Sequence, residues 1–130
     1  MSSTEHYPLN YAWDIKHWNE DRDVMLEAQF SGVSPAQIAP LLEQWLHSKQ
    51  RDQQVLDQQT ATIFYAGGAW FHWPATDSLQ FYIHSAGQDA FDSIHYYANH
   101  LADYLFAMLG PKLQLQWIEH PHRRDYLRAH

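Results

Sequence analysis

The sequence predicts an α+β domain: two helices packed on one face of a mostly antiparallel sheet. Three observations carry that expectation. Two segments place apolar residues at helical spacing, several others alternate apolar and polar residues, and capping or breaking residues separate them. The predicted order is (β)-β-α-β-β-α-β, a ferredoxin-like arrangement with an extra N-terminal strand.

Residues 1–10 read as an unpatterned lead-in. YAWDIKHW, residues 11–18, alternates and gives the extra strand, followed by a polar turn. The next strand sets Val24, Leu26, Ala28 and Phe30 on one side and Met25, Glu27 and Gln29 on the other. Successive strand side chains point to opposite faces, so the first set suits a core. Ser34, Pro35 and Gln37 then form a capping box with proline at the first helical position. Ile38, Leu41, Leu42, Trp45 and Leu46 follow as an apolar stripe, with Pro40 inside it. The polar stretch 48–59 reads as a helix extension or a solvated connector.

Gly67 and Gly68 lie between two β-rich runs, which suggests a two-residue hairpin or one long strand with a bulge. SLQFYIHS alternates strictly, with Leu79, Phe81 and Ile83 opposite Gln80, Tyr82 and His84. Residues 89–111 carry the longest helix, with Asp89 as N-cap, Gly110 as its stop and Pro111 beyond. Its expected core stripe is Phe91, Ile94, Ala98, Leu101, Leu105 and Met108. A final strand sets Leu113, Leu115 and Trp117 against Gln114, Gln116 and Ile118. An N-terminal strand cannot pair as a hairpin with a strand whose two edges are both occupied, so it must join an edge or the sheet order must differ.

At 130 residues the chain reads as one domain over 1–122, with a short basic tail over 123–130. Cysteine is absent, which excludes disulfides, thiolate nucleophiles and cysteine-based zinc sites. No apolar run approaches the ~20 residues of a membrane span, and no secretory signal opens the chain, so a cytoplasmic location is expected. Net charge is −7. An acidic domain repels phosphate backbones and suits a basic partner, so nucleic acid is not expected as a ligand.

Helices on one face leave the reverse face of the sheet open. Its expected contact residues are Glu27, Gln29, Gln80, Tyr82, His84, Gln114 and Gln116, joined by Trp70, His72 and Trp73 from the aromatic segment AWFHW. Uncharged hydrogen-bonding groups beside exposed rings suit a protein contact. Neither a metal nor a cofactor is expected. Asp92, His95, Asn99 and Asp103 make a polar helical stripe, but the other helix supplies only Glu43 and His47 as possible co-ligands. Catalytic residues are not assigned, since no nucleophile motif or phosphate-cradling loop is present.

These features lead to a small non-enzymatic protein-binding protein, of inhibitor, immunity or antitoxin type, that masks a basic partner through an acidic, aromatic-rich surface. A homodimer packing its open sheet faces is a structural variant of the same expectation. The alternative is a small-molecule-binding or enzymatic α+β domain with a pocket near Trp70–Trp73 and His84.

Overall fold

The computed structural model of the protein describes residues 6–8, 24–49, 52–57, 61–66, 69–72, 78–85 and 90–120. Strand β1 (Val24–Ser31) leads into helix α1 (Pro35–Lys49), then β2 (Asp52–Asp57), β3 (Ala61–Ala66), β4 (Ala69–His72) and β5 (Gln80–Ser85). Helix α2 (Ala90–Leu109) follows, and a 3₁₀ turn (Gly110–Lys112) joins it to β6 (Gln114–His120). The strands form one sheet in the order β2-β3-β4-β5-β1-β6. Every neighbouring pair is antiparallel.

Local chemistry starts and stops both helices. Ser34 Oγ accepts from the Gln37 backbone N–H at 3.3 Å, and Gln37 Oε1 accepts from the Ser34 N–H at 2.9 Å. The Ser34 N–H thereby gains a partner, and the Gln37 N–H is shared between Ser34 Oγ and the Ser34 carbonyl, the latter at 3.1 Å. Gly110 holds φ +73° where α2 ends, the left-handed conformation that closes a helix. Asp89, the expected cap of α2, lies outside the described residues.

One core forms where both helices meet the same side of the sheet. Val24, Leu26, Ala28 and Phe30 from β1, Phe71 from β4, and Phe81 and Ile83 from β5 pack with Ile38, Leu42, Trp45 and Leu46 of α1. Phe91, Ile94, Ala98, Leu101 and Leu105 of α2 join them. Trp45 is central, with ring centroids 5.0 Å from Phe71, 6.1 Å from Phe81 and 6.4 Å from Tyr97, all edge to face. This is the arrangement aromatic quadrupoles favour. Its indole N–H donates to His100 Nδ1 at 3.1 Å.

Three expectations change here. Residues 52–57, read as helix extension or connector, form β2, an edge strand paired with β3. Met108, placed in the core stripe of α2, is 57% exposed. Phe106 and Leu109 instead make the apolar contacts in that last turn. The third is the reverse face of the sheet, taken up below. Where glycines 67 and 68 suggest a hairpin, the register sets Ala66 opposite Ala69, so β3 and β4 pair across a two-residue connection. The extra strand expected over residues 11–18 and the tail over 123–130 fall outside the described residues.

Candidate functional site

The register across the sheet lines up residues from several strands. One row runs Trp70, His84, Met25, His120; the next runs His72, Tyr82, Glu27, Ile118; a third runs Gln80, Gln29, Gln116. The alternation of β1 and β5 therefore brings together most of the residues expected there. Trp73 lies outside the described residues.

The face is not open at its centre. Met25, Tyr82 and His84 are buried, and Glu27 is only 5% exposed. This corrects the expectation of a free sheet surface: His84 is fully buried and Tyr82 nearly so, leaving them almost no area to offer a partner. Gln80, Gln114 and Gln116 are exposed, and Gln29 is half-buried. Ser31 Oγ donates to Gln114 Oε1 at 3.3 Å along this rim.

Glu27 organises the buried part. Its Oε1 is 2.8 Å from His120 Nε2, which donates to it across the β1–β6 pair. Its Oε2 accepts from Gln29 Nε2 at 2.8 Å and from Gln80 Nε2 at 3.3 Å. A carboxylate taken from water needs such donors, because an unpaired buried charge is very costly. The arrangement ties β5, β1 and β6 together on the side away from the helices. Chemically it is a carboxylate–imidazole pair with its remaining oxygen held by two amides. Among the described residues, no group of three or more histidine or acidic side chains is arranged to hold a metal ion.

A second surface lies on the helical layer. Asp92, Tyr96, His100, Tyr104 and Met108 recur every four residues along α2, the spacing of one surface ridge. Tyr96 and Met108 are the large apolar side chains exposed among the described residues, each at 57%. Tyr104 Oη donates to Gln44 Oε1 at 3.1 Å, which ties this ridge to α1. Sequence reasoning passed over the row because its residues are chemically mixed, and neither an apolar nor a charged pattern marks them.

The polar stripe of α2 has a use that the sequence did not reveal. Asn99 and Asp103 hold His6 and Tyr7 of the N-terminal lead-in against α2. His6 Nε2 is 2.9 Å from Asp103 Oδ1, and Tyr7, almost fully buried, donates its hydroxyl to Glu119 Oε2. No hydrophobic period marks so short a segment, so only its tyrosine hinted at burial.

No protein-family model matches this sequence, and no curated protein matches it. The helices are too short or too polar to cross a membrane among the described residues.

Proposed function

We propose that this chain is a small, non-enzymatic protein-binding protein that engages a basic partner, in the manner of an inhibitor, immunity or antitoxin protein, in the cytoplasm. The observation that supports this most directly is the α2 ridge. Tyr96 stands out on it one turn from Asp92, and Met108 stands out near its C-terminal end, on a helix with no lysine or arginine. Exposed aromatics with acidic neighbours suit an anchor-and-steer contact with a positively charged surface. The net charge of −7 adds long-range attraction of the same sign. The contact surface thus moves from the reverse sheet face to the helical layer, with the exposed Gln80, Gln114 and Gln116 rim as a secondary patch. The order β4-β5-β1-β6, joined through α1 and α2, supports a ferredoxin-like reading in which β2 and β3 are an added hairpin.

Affinity capture from the source cell, at low and high salt, tests the reading. A basic protein retained at low salt, released by salt and lost with Tyr96→Ala is the expected result. Capture that is indifferent to salt and to Tyr96→Ala overturns it.

One observation favours the alternative of a small-molecule or enzymatic site: the Glu27–His120 pair, in rows with His84 and, by register, His72 and Trp70. A metabolite that raises the melting temperature of the native chain, and no longer does so in Glu27→Gln, would favour it.

A further inference from the structure

The sheet ends in two edge strands that are built differently. An edge presents a row of main-chain N–H and C=O groups, and proteins blunt it with bulges, charged residues or proline. At β2 the pairing with β3 shifts register between Val55 and Asp57, and aspartates occupy both ends of the strand. Along Gln114–Ile118 of β6 none of these devices occurs. β6 runs against β1 through seven consecutive pairs with no shift, and QLQWI holds neither charge nor proline. Among the described residues, β1 is its one strand neighbour. In an antiparallel ladder every second residue turns its N–H and C=O away from that neighbour. The His6–Tyr7 segment reaches β6 through the side chains of Trp117 and Glu119, which share the helical face with Leu115.

We propose that the outer edge of β6 is a self-association surface, on which a second copy of this chain adds its own β6 antiparallel, so that one sheet runs through a twofold dimer. Three features of the strand favour its own copy. The register closes on itself: with the axis at Trp117, Leu115 stands opposite Glu119 of the second copy, Gln116 opposite Ile118 and Gln114 opposite His120. All seven residues are matched and no acid faces an acid. The axis sets Trp117 opposite its own copy, a cross-strand aromatic pair. Gln116, exposed on the reverse face, becomes the diagonal neighbour of its own copy. A glutamine amide both donates and accepts, so it can bond to another of itself, which a carboxylate or an ammonium cannot do.

The net charge of −7 on each copy opposes the approach. Salt screens that repulsion, while strand hydrogen bonds and apolar contacts persist. Pairing through β6 therefore strengthens with salt, the reverse of the salt response expected for a basic partner at the α2 ridge.

The test uses the full chain. Light scattering from about 10 µM to about 1 mM should show dimer growing with concentration, and more of it at about 0.5 M salt than at low salt. Gln116→Lys and Gln116→Glu each bring like charges together across the axis and should weaken the dimer about fivefold. Gln116 is exposed, so the fold tolerates both. An equimolar mixture of the two variants should recover the dimer, because unlike charges then meet. Hydrogen exchange at the two ends of the concentration range should show alternate β6 amides slowing as dimer forms, with β2 unchanged. A chain that stays monomeric at high salt overturns the proposal, as does a dimer untouched by Gln116→Lys or one that leaves β6 exchange unaltered. A mixture no better than either variant alone overturns the twofold register. None of these results bears on the α2 ridge, because no basic partner enters the measurement.

Discussion

Gly32 and Gly110 both hold positive φ, at 80° and 73°, yet their surroundings differ. A Cβ on Gly32 would lie 2.0 Å from the Lys112 carbonyl oxygen, whereas a Cβ on Gly110 meets nothing within 4 Å. Gly32 is where the turn after β1 passes against the turn before β6, so backbone meets backbone and neither can yield like a flexible side chain. Gly110→Ala should cost about 1 kcal/mol, the penalty of a left-handed non-glycine residue alone. Gly32→Ala should cost about 3 kcal/mol or more, since the same strain is joined by a steric clash. Urea denaturation of the two variants checks the difference, and equal losses would refute the close approach. The two glycines were not equally legible. Gly110 followed a helical stripe and preceded proline, so its role could be read locally. The role of Gly32 depends on Lys112, eighty positions away, and only the folded chain brings them together.

At the scale of elements, legibility followed the range of the interactions. The start of α1 was readable because Ser34 and Gln37 satisfy each other within one turn. The strand β2 was not, because its polar sequence forms a strand through pairing with β3 rather than through an alternating pattern of its own. Met108 fits the helical period of α2 but falls in its last turn, where Phe106 and Leu109 already supply the apolar contact. Alternation placed Glu27, Gln29 and Gln80 on one face correctly, yet the hydrogen bonds that make Glu27 the junction of three strands depend on register. Removing that junction should loosen β5, β1 and β6 together. Glu27→Ala leaves His120, Gln29 and Gln80 without their shared acceptor and should cost about 2–4 kcal/mol. Glu27→Gln keeps one acceptor oxygen and should cost less. Thermal unfolding of both variants decides this; if Gln is as damaging as Ala, the shared acceptor is not what stabilises the site.

For the molecule as a whole, the decisive fact is that β1 is enclosed from every side. It is paired along both edges, with β5 and β6, and Val24 to Ala28 are buried whichever face they point to. The sequence showed which residues share a face but not whether that face is covered, because alternation records only a difference in polarity between the sides. Met25 and Tyr82, both large and able to pack, were the signal on the reverse side, and they were outweighed there by the glutamines. Enclosure has a kinetic consequence. Backbone amides exchange with solvent through openings whose free energy ranges from near zero at frayed segments to the full unfolding value in the core. The amides of Leu26, Glu27 and Ala28 point alternately to β5 and β6, so freeing all three parts both strand pairs of a strand buried on both faces. Native-state hydrogen exchange should place them in the slowest class, with a free energy that follows global stability as urea is added. The amides of His6 and Tyr7 rest on one asparagine side chain, so they should exchange through a smaller opening, and Asn99→Ala should speed them selectively. If that variant instead lowers protection in β1 and in the segment equally, the segment opens only with the whole fold.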